Sequence, residues 1–141
     1  MKLNITDRSL GLLKTQNDRG FFDRACKTPS SIYVSRLEAI SFSGMNKVCD
    51  AGCGYGQWSF PLSKLNKSVH AIDISADRIS VCQALLVDNP SIEGTLEFLV
   101  EDIQKTNFPD KYFDGIFSYS VLYLTDYRKT LKELHRILKP G

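Results

Sequence analysis

The stretch KVCDAGCGYGQWSF, Lys47 to Phe60, decides the fold. Val48, Cys49 and Ala51 are apolar or small and flank Asp50, which predicts a short buried strand. Gly52, Gly54 and Gly56 follow at alternate positions, and from Gln57 the pattern becomes helical. A strand that breaks into glycines and then a helix is how α/β domains seat a nucleotide. Without Cβ atoms such a turn takes positive φ and lets a ligand approach the backbone. The helix N-terminus behind it is expected to offer unpaired N–H groups and partial positive charge.

Downstream, Trp58, Phe60, Leu62 and Leu65 give the first crossover helix an apolar side, with Pro61 near its first turn and Asn66-Lys67 closing it. Ser68 to Asp73 reads as a second, largely buried strand. Ser75 caps a helix with Ile79, Cys82, Leu85 and Leu86 at helical spacing, and Asn89-Pro90 stops it. Thr95 to Val100 is the third strand and Gly115 to Tyr119 the fourth. Thr125 or Asp126 begins the last helix, with apolar Leu131, Leu134, Ile137 and Leu138. Upstream, a short amphipathic helix is expected within residues 1–17, using Leu3, Ile5, Leu10, Leu12 and Leu13. A segment with Phe21 and Phe22 follows, then a helix capped by Ser30 or Ser31 with apolar Ile32, Leu37 and Ile40, ended by Ser43-Gly44. The alternation predicts a parallel sheet covered by helices on both faces.

The glycine spacing separates two kinds of nucleotide seat. A dinucleotide fingerprint carries its glycines at the first, third and sixth positions. Here the sixth position is Gln57, and the third glycine comes one residue early. With Asp50 two residues before Gly52, the stretch resembles motif I of the class I S-adenosylmethionine (SAM)-dependent methyltransferases. The segment FPDKYFDGIFSYSVLYLTD, residues 108–126, resembles the same family: an aspartate opens strand four, a small polar residue closes it, and an apolar-aromatic segment follows. LKELHRILKPG, residues 131–141, matches the helix before that family's strand five. The resemblance runs from about Asn46 to Gly141 and is strongest to the small-molecule, ubiquinone/menaquinone C-methyltransferase type.

The resemblance implies an α/β fold, a three-layer Rossmann-like sheet in the order 3-2-1-4 with the later strands missing. Residues 1–44 are then helical segments covering the site, and 45–141 the SAM-binding core. It implies SAM as cofactor, S-adenosylhomocysteine as product, and a small-molecule methyl acceptor. Asp50, Gly52, Cys53, Gly54 and Gln57 form the loop that faces the amino-acid end of the cofactor. Asp73, 21 positions after Gly52, accepts from the ribose hydroxyls or, alternatively, caps the helix after it. Asp102 accepts from the adenine amino group, with Ile74 and Ile103 sandwiching the ring, or is a solvent-exposed turn acid. Ser118 or Tyr119, through a backbone carbonyl, meets the cofactor's amino group, and Asp114 is a structural acid at the strand's entry. Tyr33 and Arg36 are candidates for the acceptor pocket. Tyr123 stands where small-molecule members often carry histidine, and no catalytic base is readable.

Composition narrows the alternatives. The chain has 141 residues, 43% hydrophobic and 24% charged, as in an ordinary soluble domain. A net charge of +2 without a Lys/Arg run gives no sign of nucleic acid. No apolar run approaches the roughly 18 residues of a membrane span, and the N-terminus lacks a secretory apolar core. Cys26, Cys49, Cys53 and Cys82 read as free buried thiols of a cytoplasmic protein, and the isolated His70 and His135 complete no metal site. Two rival readings share part of the pattern: a nicotinamide-dependent oxidoreductase and a non-catalytic SAM-binding scaffold. In the family order strand four is flanked by strand five. Ending before it is expected to leave an apolar edge that pairs with another copy, unless the last helix folds over it.

Overall fold

The computed structural model describes residues 3–90 and 94–141. Four parallel strands, β1 (Lys47–Ala51), β2 (Ser68–Asp73), β3 (Thr95–Val100) and β4 (Gly115–Phe117), form one sheet in the order β3-β2-β1-β4. Val48 pairs in register with Val69 on one side and Gly115 on the other, and Ala51 with Ile72. The central strand is buried from Val48 to Ala51, as its apolar and small residues dictate.

Around the sheet lie α1 (Asp7–Gly11), α2 (Gln16–Cys26), α3 (Ser30–Ala39), α4 (Ser59–Leu65), α5 (Ala76–Asp88), a 3₁₀ turn at Leu122–Leu124, and α6 (Tyr127–Ile137). Alternate strand residues face opposite layers. Val48, Val69, Ala71, Leu96 and Phe98 point to one face, where Phe22, Leu37, Phe60, Leu62, Ile79 and Leu85 pack. Cys49, Ala51 and Ile72 point to the other, against Ile103, Phe113 and Ile137. Helices therefore cover both faces, with α6 on the second.

Local signals set most boundaries. The Ser75 hydroxyl accepts from the Arg78 N–H and opens α5. Asp126 caps α6, accepting from the N–H groups of Arg128 and Lys129. Asn66 ends α4 by donating to the Leu62 carbonyl, and its Oδ1 accepts from Met45 N–H just before β1. Asp114 is structural, as expected: its carboxylate accepts from Lys47 N–H at 2.7 Å and from Lys139 Nζ at 2.6 Å. Glu133 accepts from the Arg136 guanidinium and from both the hydroxyl and N–H of Thr106, which hold its carboxyl down to about 2.

Several expectations shift. The first helix is only Asp7–Gly11, leaving Leu12 exposed and Leu13 in the core. Neither Ser30 nor Ser31 caps α3: Pro29 occupies the cap position, and Ser30 is already helical. Ile32 and Ile40 are exposed, because Leu37 and Tyr33 take the inward positions, Tyr33 against Trp58. On α6 Leu131 is exposed while Thr130 is buried. β4 ends at Phe117, two residues early, where the Ser118 hydroxyl donates to the Ala51 carbonyl and Ser120 turns the chain with φ 58°.

The outer side of β4 is partly covered. Phe113 donates to Ile137 O and accepts from Lys139 N–H, so the exit of α6 pairs with the entry of β4. Because Asp114 N–H turns to Lys47 O, alternation directs the backbone groups of Gly115 and Phe117 outward. The last helix lies on the sheet's second face, where Leu134 and Ile137 pack.

His70 is the odd residue of β2. Its ring meets Phe108, Tyr112 and Phe113 edge-on, and its buried Nδ1 has no partner among the described residues. Burial lowers its pKa below 6.5; Glu97, 3.7 Å from Nε2, opposes this and Lys47 adds to it. Since the unfolded chain then binds the proton more readily, this residue's contribution to stability falls as pH drops below about 6.5. His70→Phe should flatten that acid limb of a Tm-against-pH profile. An unchanged acid limb would show that His70 does not titrate in folding.

Candidate functional site

The glycine turn is tied to the end of β2. Gly52 and Cys53 both donate to the Ile72 carbonyl, at 2.8 and 2.9 Å, and Gly54 donates to Asp73 Oδ2 at 3.0 Å. Gly56 donates to the Cys53 carbonyl. The φ angles of Gly52, Gly54 and Gly56 are 84°, 57° and 78°, so only glycine follows this path without strain. These amides are engaged within the protein, and α4 begins only at Ser59. The amides of the turn itself are therefore taken, and any unpaired donors belong to the start of α4 behind it.

Buried polar groups support the turn from below. The thiol of Cys82 approaches the Gly54 carbonyl at 3.3 Å, and that of Cys26 the Tyr55 carbonyl at 3.7 Å. All four cysteines are free and buried; burial raises the thiols of Cys26 and Cys49, and the Cys82 contact together with burial raises that of Cys53. Asp50 is enclosed beneath the turn and accepts from the Ser59 hydroxyl at 2.6 Å. Burial, opposed by that bond and reinforced by the Asp73 charge, pushes its pKa up to about 7.

Above the turn, side chains from distant elements take the room the glycines leave. A Cβ on Gly52 would clash with Val121, and one on Gly54 would meet the Phe21 ring at 3.3 Å. Gln57 Oε1, 3.7 Å from the same Gly54 position, is buried and without a partner among the described residues.

Beside the turn a cleft of about 170 Å³ opens across the tips of β1, β2 and β3. Five of the expected residues meet there: Gly52, Asp73, Ile74, Asp102 and Ile103. Asp73 plays the expected capping part as well, since its Oδ1 accepts from Ser75 N–H at 2.9 Å. The carboxylate thus joins the turn, the start of α5 and the cleft, so its two readings do not exclude one another. Asp102 Oδ1 accepts from Gln104 N–H at 2.8 Å, which leaves Oδ2 unbonded among the described residues. Ile103 is buried at the floor and Ile74 exposed at the rim.

Asp50, Cys53, Gly54, Gln57, Ser118 and Tyr119 stand outside the cleft lining. Ser118 and Tyr119 lie beyond Gly52, at the end of β4; Tyr119 is exposed and its ring is tilted against Trp58. Tyr33 reaches Trp58 and donates to the Ala25 carbonyl, while Arg36 is exposed. The reading of the sequence missed Arg78, Gln104, Val121, Leu124 and Thr125, which complete the lining. Arg78 was findable, for it lies on the first turn of α5; its guanidinium rests over Phe21 and Tyr55, 4.0 Å from Asp73. Among the described residues no cluster of three or more His, Cys, Asp or Glu could hold a metal ion, and no helix is long and apolar enough to cross a membrane.

Comparison with known proteins bears on this geometry. One protein family, described as a methyltransferase domain, matches residues 49–141. The chain is 32% identical to a ubiquinone/menaquinone biosynthesis C-methyltransferase of Pseudomonas savastanoi pv. phaseolicola, over 73% of this chain and 43% of that protein. It is 28% identical to phosphoethanolamine N-methyltransferase 3 of Arabidopsis thaliana, over 98% of this chain and 28% of that one. The chain thus spans less than half the length of these curated relatives. The crystal structure of a SAM-dependent methyltransferase from Aquifex aeolicus superposes with a TM-score of 0.71, at 25% identity, covering 88% of this chain and 66% of that one.

The acid beneath the turn gives a measurable consequence. With a folded pKa near 7 against 3.8 unfolded, Asp50 binds its proton more tightly in the folded state. Its contribution to stability is full below about pH 4 and declines as pH rises toward 7. Asp50→Asn should remove this decline and gain stability relative to wild type at pH 8. Parallel curves for the two proteins from pH 4 to 8 would contradict the assignment.

Proposed function

The chain belongs to the class I SAM-dependent methyltransferases, a family whose cofactor is SAM, and on that premise we propose that the cofactor lies across the strand tips and is used to methylate a small molecule. The observation that carries this reading is the meeting of Asp73, Asp102, Ile74 and Ile103 with Gly52 in one cleft. Each carboxylate oxygen can accept more than one hydrogen bond. Asp73, already holding the turn, can also accept from the vicinal hydroxyls of a ribose. Asp102 Oδ2 is placed for the amino group of adenine, with Ile103 below the ring and Ile74 at its edge.

At the other end, Asp50, Cys53, Gly54 and Gln57 shape the turn toward the amino-acid portion. Gln57 Oε1 is a buried acceptor lacking a donor, and such a group is costly unless paired. An α-ammonium group fits it, together with a backbone carbonyl of Ser118 or Tyr119. Phe21, against Gly54, supports the assignment of residues 1–44 as cover for the core in 45–141.

When bound, SAM supplies an electrophilic methyl on a positively charged sulfur. The protein then has to hold an acceptor in line with that bond and keep water away. Positioning of this kind supplies several kcal/mol of the barrier. No side chain is assigned as a base. A small-molecule acceptor agrees with the names of the relatives, one acting in quinone biosynthesis and one on phosphoethanolamine. We place this chemistry in the cytoplasm.

Asp73→Ala should weaken S-adenosylhomocysteine by about 1.5–3 kcal/mol in calorimetry, the worth of hydrogen bonds to a charged group. NAD should give no thermal shift. Equal binding by the variant would remove Asp73 from the site, and a shift with NAD alone would favour an oxidoreductase.

The outward backbone groups of Gly115 and Phe117 also support association of this 141-residue chain through β4. Light scattering should show a species larger than the monomer, with slow hydrogen exchange at residues 115–119. A monomer whose amides there exchange freely would refute it.

A further inference from the structure

We propose that Arg78 is a positioning residue, held off the Asp73 carboxylate by the rings of Phe21 and Tyr55 so that this carboxylate stays open to the cofactor's ribose. That role rests on the cofactor reading above and adds a control on the same site. Because α2 supplies Phe21, the N-terminal segment then acts on cofactor binding through a charge and not only as cover.

Arg78 stands in the lining of two spaces. One is the cleft at Asp73 and Asp102; the other is a smaller cavity of about 90 Å³ between α5 and the start of α2. The guanidinium lies over the Phe21 ring, 5.6 Å from its centroid, and over that of Tyr55 at 5.9 Å. Both separations suit a cation held on an aromatic face. The two rings brace one another with centroids 5.2 Å apart, and the Tyr55 hydroxyl donates to Asp18 at 3.0 Å. Burial and the Asp18 bond push that hydroxyl up to about 12, and the neighbouring guanidinium opposes them. The seat of the cation is thus built by α2 and the glycine turn together.

From this seat the nearest guanidinium nitrogen, Nη1, is 4.0 Å from Asp73 Oδ1. At that distance it attracts the carboxylate without a hydrogen bond to it. The Asp73 oxygens accept from the Gly54 and Ser75 amides, and each can accept again. The other acids of the smaller cavity are engaged, Asp18 by Thr15 and Tyr55, and Asp77 by Lys14. A guanidinium released from the rings therefore has Asp73 as its partner. Seated there in its fork geometry, it would take the lone pairs that a ribose diol needs. The rings prevent this by giving the cation another place to rest.

Calorimetry with S-adenosylhomocysteine on four proteins tests this arrangement. Phe21→Leu keeps an apolar side chain over Gly54 but removes the ring, and should weaken binding roughly tenfold. Adding Arg78→Met to Phe21→Leu should restore most of that loss, because the competing cation is gone. Arg78→Met alone should bind at least as tightly as wild type. If Phe21 acted only by packing over Gly54, removing the charge would restore nothing, so a double variant as weak as Phe21→Leu overturns the proposal. Equal binding by Phe21→Leu and wild type overturns it too. So does weaker binding by Arg78→Met alone, which would make Arg78 a direct ligand contact; that variant, at a partly exposed position, decides by itself if Phe21→Leu does not fold. Failure of wild-type protein to bind S-adenosylhomocysteine, or equal binding by Asp73→Ala, would instead overturn the cofactor reading beneath it.

Discussion

The rest of the structure depends on the joint between the glycine turn and the end of β2. Ala51 pairs with Ile72 in the parallel ladder, and the next two amides, Gly52 and Cys53, both close on the Ile72 carbonyl. One residue further, the Asp73 carboxylate takes the Gly54 amide and, with its other oxygen, the amide that opens α5. A single side chain thereby fixes the direction in which β1 breaks, the start of the next helix and one wall of the cleft. Buried backbone donors must be paired, and for Gly52, Cys53 and Gly54 the partner comes from β2. The turn consequently cannot also serve a diphosphate through these amides, which agrees with the absence of a glycine at the sixth position.

The glycines have a second consequence. Their missing side chains admit Val121 over Gly52 and Phe21 over Gly54, so the turn is where the N-terminal helices, the strand tips and the segment after β4 come together. Those elements lie far apart in sequence. Ser120 accepts a positive φ to bring Val121 into place, and α2 is held near by the Tyr55 hydroxyl donating to Asp18 at 3.0 Å. The thiols of Cys26, Cys49 and Cys53 and the carboxyl of Asp50 are enclosed beneath, and burial disfavours their charged forms. They are structural supports of the turn rather than exposed nucleophiles.

Much of this was legible in the sequence because it follows from local rules. Apolar runs set β1, β2 and β3, Ser75 and Asn66 mark helix ends through their own side chains, and the alternation of strands and helices implies a parallel sheet. The acids at the ends of β2 and β3 were identifiable because a strand end in such a sheet is where ligands gather. The spacing of Gly52, Gly54 and Gly56, with the pattern around β4, was enough to point to the family to which the chain belongs.

Tertiary structure decided what local rules do not reach. The sequence could not tell that the turn amides face β2, because that depends on the register between β1 and β2, in which Ala51 pairs with Ile72. Nor could periodicity show that Leu131, Ile32 and Ile40 are exposed, since which apolar residues of a helix are covered depends on what packs against it. β4 stops early because Ser118 finds the Ala51 carbonyl, a contact 67 residues away in the chain. The sequence by itself determined the strands, their connections and the acids at their tips; only packing determined that Val121, Arg78 and Phe21 join them, because side chains meet across space and not along the chain.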